Sequence, residues 1–425
     1  MKKQKKFYWR KLDDQAKVFA LASSSKYSSI FRMSIVLKEK IEAKFLQKAL
    51  DEVLKKYKAF KVKMQRGLFW YYFTENEKKA LVSKETDYPF KKVNDKRNND
   101  YLFKVTYFEN KINMDFFHAL TDGNGAMPFF REIVYKYLEL KYPDEINIDE
   151  INENIVILDS ENSYKKIYKK HSKKPDETKY AFLIKGDELE KGKVGINHFN
   201  INLPQLKKVT KEKDCSLSMY LTAMIGHAIY EANYKLHEGK KPINLCIPVN
   251  LKKYFPTETI SNFFAYIVVS LNLKKNKTYS FDCLLDMVNI EFEKKLKLER
   301  MIETLSVDAG ATNKKIIRIV PLFIKKIAVR IGSLEVKRHF TMTISNIGKF
   351  DISEKYEKYV ENFCVMLSPD WAEKLKCGIC SYRDNLVVSF GTLLKDTKIQ
   401  SKFRDILIEN NIDFMIEGNG VSVIS

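Results

Sequence analysis

The chain has 425 residues, of which 45% are apolar and 13% aromatic. This length and composition suffice for two or three domains with real hydrophobic cores, and they exclude a largely disordered chain. The 75 Lys and Arg against 54 Asp and Glu give a net charge of +21. This charge fits a solvated lysine surface, an anionic small molecule or a membrane surface, whereas no recognisable nucleic-acid motif accompanies it.

Cysteines and apolar runs indicate the compartment. The six cysteines stand at positions 215, 246, 283, 364, 377 and 380 without the spacing of a disulfide framework, which favours the reducing cytoplasm. Cys377-Gly378-Ile379-Cys380 is a single CxxC in an apolar, strand-like stretch, so a structural role is favoured over metal or redox use. The basic start, residues 1–6, lacks the apolar core of a signal peptide. With no uncharged apolar run of about 18 residues, we expect a soluble or at most peripheral protein.

In chain order, the first half predicts a strand, a helix and two hairpins. Residues 29–37 alternate as a strand, and residues 42–60 carry apolar side chains three and four apart, as a helix does. Alternation on either side of Arg66-Gly67 indicates a hairpin. A second hairpin pairs residues 101–108 with residues 112–117 and delivers His118 at its end. The order favours an α+β sandwich with helices on one side of a mixed sheet.

The stretch from His118 to Gly125 connects that strand to a helical pattern. A histidine and an aspartate with three residues between them, His118 and Asp122, are held on a tight connection, as proton transfer requires. We expect Gly123 and Gly125 to let the connection turn sharply. The alternative from these residues alone is a surface turn with an incidental histidine.

The second half repeats the alternation of strands and helices after a polar, irregular linker over residues 141–193. Ser216 is placed to cap a helix that runs to residue 234, in which His227 reads as a core or interface histidine. Strands are predicted over residues 198–203, 243–249, 262–273, 340–344 and 387–393, with a late helix around residues 399–407.

Residues 316–331 are apolar at helical spacing but carry four basic side chains, and Pro321 bends or begins the helix. We expect such a helix to pack on the protein with a basic outer face, and contact with anionic lipid is the alternative.

His118-Ala119-Leu120-Thr121-Asp122-Gly123 resembles the HxxxDG signature of the CoA-dependent acyltransferase superfamily. The superfamily includes chloramphenicol acetyltransferase, condensation domains and alcohol acetyltransferases. The resemblance implies two chloramphenicol-acetyltransferase-like α/β sandwich subdomains in a pseudo-dimeric arrangement, with an active-site tunnel between them. We place the first subdomain at residues 1–175 and the second at residues 176–425.

Two further segments are similar to elements of the superfamily. Residues 248–252 and 261–264 resemble its PV(D/N)-x-R strand and GN turn, with Lys252 in the place of Arg and Ser261 in the place of Gly. Ser345-Asn346-Ile347-Gly348 is similar to its SN-x-G element. The plant-type DFGWG element is absent, which moves the resemblance away from the plant branch.

The resemblance also implies roles for the site residues. His118 is the expected general base, Asp122 a structural residue in a salt bridge to an arginine, and Gly123 a geometric one. Ser345 and Asn346 are candidates to bind the substrate oxyanion, although a structural role in the turn is an equal alternative. Acyl-CoA is expected as co-substrate, without a bound cofactor or metal.

The predicted function is therefore transfer of an acyl group, acetyl or fatty, from CoA to a hydroxyl or amine of a small or lipid-like acceptor by a monomer, with peripheral membrane contact left open. One alternative is a non-catalytic, condensation-like binding protein. Another is a condensation enzyme that uses carrier proteins, which is less favoured because Phe117 stands where condensation domains usually carry a second histidine.

Overall fold

The computed structural model describes residues 9–24, 29–146, 178–235, 241–255, 257, 259–303, 317 and 319–421. The strands are β1 (Trp9–Lys11), β2 (Ile30–Leu37), β3 (Val62–Arg66), β4 (Tyr71–Glu75), β5 (Val82–Lys84), β6 (Phe103–Phe108), β7 (Lys111–Phe117), β8 (Gly195–Asn202), β9 (Ile243–Asn250), β10 (Phe264–Leu271), β11 (Met342–Lys349), β12 (Val360–Leu367), β13 (Leu375–Tyr382), β14 (Asn385–Thr392) and β15 (Phe414–Gly418). The α-helices are α1 (Asp14–Ala22), α2 (Ala43–Lys56), α3 (Gly123–Lys141), α4 (Leu203–Glu212), α5 (Leu217–Ile229), α6 (Phe281–Lys295), α7 (Leu322–Lys337), α8 (Glu354–Glu357) and α9 (Lys398–Glu409).

The first half of the chain contributes most of a five-stranded sheet in the order β12-β2-β7-β6-β5. β2 pairs antiparallel with β7, and Ile30 stands opposite Phe117 at the end of the pair. Helices α2 and α3 bury their apolar stripes, including Leu50 and Phe129, in the core of this half. The sheet and its helices thus hold the end of β7 in a packed setting.

The second half forms a seven-stranded sheet in the order β10-β9-β11-β13-β14-β8-β15. β11 runs parallel to both β9 and β13, and the other pairs are antiparallel. Helices α5, α6 and α9 pack together, and α6 also packs on β10. Tyr220 and Phe403 from these helices are fully buried in the core of this half.

Strand β12 ties the two halves together. It follows β11 in the chain, yet it pairs antiparallel with β2 of the first sheet, from Val360–Leu37 to Leu367–Phe31. At Gly378 in β13, a Cβ atom would lie 2.3 Å from the carbonyl oxygen of Val365, so the two backbones are in direct contact. The two sheets therefore interlock through backbone packing.

The predicted α+β class with two sandwich subdomains is confirmed. The predicted boundary at residue 175 falls in residues 147–177, outside the described residues, and stays a prediction. The predictions for the basic start and for most of the linker also lie outside the described residues. The described linker residues that follow α3, 142–146 and 178–193, are irregular.

Most predicted elements are present, with shifted ends. Ser216 caps α5 by accepting the N–H of Met219 at 3.2 Å, as predicted. The helix predicted over residues 42–60 is α2, and it ends earlier than predicted, at Lys56. The first predicted hairpin turns at residues 67–70. β11 continues through Ser345 and Asn346, which were predicted to follow the strand. None of the described helices is long and apolar enough to cross a bilayer.

Candidate active site

His118 directly follows β7 and is fixed through its main chain. Its N–H donates to the carbonyl of Ser29, the residue before β2, over 2.9 Å. The imidazole stacks on Phe19 with ring centroids 4.6 Å apart, and it meets Phe31 at 4.7 Å. The strand and two aromatic rings therefore leave the imidazole little freedom.

Asn262 holds the other side of His118. Its Nδ2 donates to the His118 carbonyl at 2.9 Å and to Oδ2 of Asp13 at 3.3 Å. These two acceptors fix the amide orientation, which places Oδ1 of Asn262 3.4 Å from Nδ1 of His118. An oxygen there favours the proton on Nδ1, so Nε2 carries the lone pair that a base needs.

The charge state of His118 fits a base. Burial among aromatic side chains lowers its pKa to about 4, because the charged form loses its solvation. The Asp122 carboxylate and the contact with Asn262 oppose this shift, and Lys376 adds to it. The imidazole is therefore neutral at neutral pH.

Asp13, the last member of this chain of contacts, is a buried carboxyl at the start of α1. Its Oδ1 accepts the N–H of Ala16 at 2.7 Å and thereby caps the helix. Burial raises its pKa to about 6, against the opposing hydrogen bonds of Ala16 and Asn262 and the charge of Arg10. His118, Asn262 and Asp13 thus form one line of contacts that joins β7, the residues before β10 and α1.

Asp122 has an architectural role, but the arginine partner implied by the resemblance is wrong for the described residues. One carboxylate oxygen accepts the N–H of Gly125 at 2.8 Å and caps α3, and the other accepts the N–H of Phe263 at 2.9 Å. The buried arginine of this half, Arg32, instead pairs with Asp115 through two hydrogen bonds of 2.7 Å. Asp122 therefore ties α3 to residues 260–263 with backbone partners.

The glycines after Asp122 provide space for close packing. The prediction that they are needed for a sharp turn of the backbone is wrong. Neither Gly123 nor Gly125 has the positive φ that would require glycine. A Cβ atom at Gly125 would lie 2.4 Å from the carbonyl oxygen of Ile260, which also accepts a 2.7 Å hydrogen bond from Thr121 Oγ1. A Cβ at Gly123 would lie 3.1 Å from Ile347 of β11. Both positions are tight because the two halves meet there.

A cavity of about 520 Å³ lies beside His118 and is lined by both halves of the chain. Apolar side chains such as Phe19 and Tyr266 make up much of its wall. Ser345 and Asn346 line it too, so the structure brings these predicted residues to the same cavity as His118. The Asn346 side chain is already engaged, because Oδ1 accepts the N–H of Gly348 at 2.9 Å and Nδ2 donates to Ser218 at 3.3 Å.

Another part of the cavity wall carries buried charges that sequence reasoning did not identify. Lys337 and Lys376 each donate to Oδ2 of Asp370, at 2.8 and 2.9 Å, and Lys376 also pairs with Glu373 at 3.2 Å. Burial lowers the pKa of Lys337 to about 8, although Asp370 opposes the shift. The positive and negative groups of this cluster balance, and the cluster gives the cavity a polar region in an otherwise apolar wall.

Asn262 and Asp13 were also missed as site residues. The resemblance of residues 261–264 to a GN turn was a signal for Asn262, but it does not show that the side chain turns toward a histidine 144 positions earlier. Nothing in the sequence around Asp13 distinguishes it from an ordinary helix cap.

Comparison with known proteins supports the fold. No family model and no curated protein sequence matches the chain. Among solved structures, TRI101 of F. sporotrichioides complexed with coenzyme A and T-2 is similar over 96% of this chain and 99% of its own, with TM-score 0.63 and 9% identity. The TRI3 trichothecene 15-O-acetyltransferase of Fusarium sporotrichioides is similar over 94% of each chain, with TM-score 0.60 and 9% identity.

Condensation domains share the architecture as well. The starter condensation domain of rhizomide synthetase RzmA, as a mutant in complex with C8-CoA and Leu-SNAC, is similar over 95% of this chain and 93% of its own. Its TM-score is 0.58 at 13% identity. The chain thus has the two-subdomain fold that acetyltransferases and condensation domains share, as the HxxxDG resemblance implies.

Proposed function

We propose that the protein transfers an acyl group from CoA to a hydroxyl or amine of a small, apolar or lipid-like acceptor, with His118 as general base. The observation that carries the proposal is the neutral imidazole of His118 beside the cavity between the two halves, with Nδ1 turned to Asn262. The likeness to structures solved with coenzyme A and C8-CoA supports the choice of co-substrate.

In the proposed reaction, Nε2 of His118 takes the proton of the acceptor as its oxygen or nitrogen attacks the thioester carbonyl. A tetrahedral intermediate forms, and its collapse breaks the carbon–sulfur bond. The imidazolium returns the proton to the departing CoA sulfur, so that the base is regenerated. Since the imidazole is neutral before the reaction, it accepts the proton without first losing one.

The negative charge on the intermediate requires a hydrogen-bond donor. Of the two residues from the SN-x-G element, Ser345 is the better candidate, because its hydroxyl has no hydrogen-bond partner among the described residues and it lines the cavity. Asn346 is occupied by Gly348 and Ser218, so we propose that it shapes the wall beside Ser345.

The cavity favours an apolar acceptor or acyl chain. A volume of about 520 Å³ is in the range of small-molecule sites, and a mostly apolar lining with a few polar groups is typical of them. The polar cluster around Lys376 offers a place for the polar part of such a substrate.

Purified protein mixed with acyl-CoAs of increasing chain length and a panel of alcohols and amines tests the proposal, with free thiol followed over time. Acceptor-dependent thiol release is the expected result. Transfer from an acylated carrier protein but not from CoA would instead assign a condensation enzyme. If none of the acyl-CoAs and acceptors gives thiol release and a ligand co-purifies with the protein, the protein would be assigned as a binding protein.

A further inference from the structure

The outward face of helix α7 is apolar. Phe323, Ile324, Ile327, Ile331 and Leu334 are 57%, 44%, 59%, 64% and 46% exposed. At 100° per residue these five side chains fall within one arc of about 100° on the helix surface. A helix on a protein surrounded by water normally presents polar residues along such an arc.

The inward face of the same helix is the more polar one. Lys325 is 4% exposed, donates to the carbonyl of Phe69 at 2.9 Å and lies 3.7 Å from the centre of the Trp70 ring. Gly332 and Ser333 line the cavity that also contains His118. The predicted basic outer face is therefore wrong: the helix turns a lysine inward and apolar residues outward.

The turn between β3 and β4 extends the exposed apolar surface. The N–H of Leu322, at the start of α7, donates to the carbonyl of Leu68 at 2.9 Å, so the turn and the helix are adjacent. Leu68 and Phe69 on this turn are 73% and 38% exposed. We name the combined surface of Leu68, Phe69 and the five outward side chains of α7 the apolar face. Contiguous exposed apolar surface of this kind marks an interaction site.

Basic side chains border the apolar face. Arg66 is exposed beside the turn, and Arg338 is exposed at the end of α7. Lys326 and Arg330 lie on the flank of the helix, where Arg330 donates to the carbonyl of Ser23 at 2.8 Å. With a net charge of +21 on the chain, these flanking cations are complementary to an anionic surface.

We propose that the apolar face binds the surface of an anionic lipid bilayer. Large aliphatic and aromatic side chains flanked by Arg and Lys are what a helix lying in a membrane interface presents, with the apolar row among the acyl chains and the cations at the headgroups. Because Gly332 and Ser333 on the inward face of α7 line the cavity, docking places α7 between the lipid and the cavity.

Flotation with lipid vesicles tests the docking without any reaction. Full-length protein is mixed with phosphatidylcholine vesicles with or without about one third phosphatidylglycerol, and the fraction floating with lipid is measured. The wild type is expected to float with the anionic vesicles. Ile327→Glu/Ile331→Glu and, independently, Leu68→Glu/Phe69→Glu are expected to reduce binding about tenfold or more, because charges replace the inserting side chains.

The matched control is Ile290→Glu/Ile408→Glu, which changes two isoleucines that are 63% and 55% exposed on α6 and α9. This variant should bind vesicles as the wild type does. Equal loss in the control, or a wild type that floats with neither vesicle, would overturn the proposal. The proposal would also be overturned if the wild type is a dimer, the Ile327→Glu/Ile331→Glu variant is a monomer, and the two bind vesicles equally. Thiol release with a water-soluble acceptor is scored separately, so a failure of acyl transfer is distinct from a failure of docking.

Discussion

The amide of Asn262 donates to the main-chain carbonyl of His118 at 2.9 Å while its oxygen lies 3.4 Å from the Nδ1 atom of the same residue. One side chain thus fixes both the backbone and the ring of the proposed base. Asp13 accepts the second proton of that amide and keeps it from rotating. The base is positioned by residues far from it in sequence, a device typical of sites that need an exact imidazole orientation.

Asn262→Ala should lower kcat by about 10- to 100-fold with a smaller change in KM, because the base remains but loses its orientation. A residue that only supports the fold would not produce this split. The double variant with His118→Ala should be no slower than His118→Ala alone, since the two residues act as a unit. Additive losses would show that Asn262 acts independently of the histidine.

The pH dependence of kcat/KM should report the lowered pKa of His118. The neutral form is the active one and its pKa is about 4, so His118 should stay active as the pH falls through 6.5, where an unperturbed histidine is half protonated. The fall in kcat/KM that is due to protonation of His118 should occur near pH 4. A titration near pH 6 would belong to Asp13 and should vanish in Asp13→Asn. A limb at pH 6.5 that persists in that variant would contradict this assignment.

The difference in melting temperature between Asp13→Asn and the wild type should shift in favour of the variant as the pH rises from 4 to 8. The pKa of Asp13 is about 6 in the folded state against 3.8 as the ordinary value, so the folded protein binds this proton more tightly than the unfolded chain. Wild-type stability from this group is present below pH 4 and is lost as the pH rises through 6, by at most about 3 kcal/mol. This shift in favour of the variant should therefore occur between pH 4 and pH 6, and a pH-independent difference would refute the raised pKa.

Asp122→Ala should reduce both stability and activity, because it removes the cap of α3 and leaves the buried N–H of Phe263 without its acceptor. We expect a loss of about 2–4 kcal/mol, read from the midpoint of denaturant unfolding. Asp122→Asn keeps a capping oxygen and should lose less. Ser280→Ala removes the cap of α6 and should lower stability without changing kcat. Full stability with lost activity in Asp122→Ala would point to a direct chemical role instead.

Local patterns predicted the route to His118 well. Alternation identified β2, β6 and β7 and placed His118 at the end of a strand, and the helical pattern that follows placed Asp122 on the connection into α3. These features depend on neighbours in sequence, so periodicity and capping preferences carry them. The class of fold followed from the same order of elements.

Long-range partners could not be predicted. The pairing of Asp122 with the N–H of Phe263 replaces an expected arginine, and backbone donors leave no signature in a sequence. Strand β12 joins the first sheet although it lies in the second half of the chain. This pairing could not be predicted, because nothing in the composition of β12 specifies which sheet edge it extends. The outward face of α7 was predicted wrongly, because the pattern shows an apolar stripe but not which way it points.

Rates of thiol release by the wild type and His118→Ala, with saturating acyl-CoA and the best acceptor, test the central claim most directly. His227→Gln is the matched control, because His227 is a half-buried histidine that meets Phe281 on α6. The account predicts a loss of about 10²- to 10⁴-fold in kcat for His118→Ala, with an unchanged melting temperature, and a near wild-type rate for His227→Gln. Equal rates for the wild type and His118→Ala would contradict the assignment of His118 as the general base.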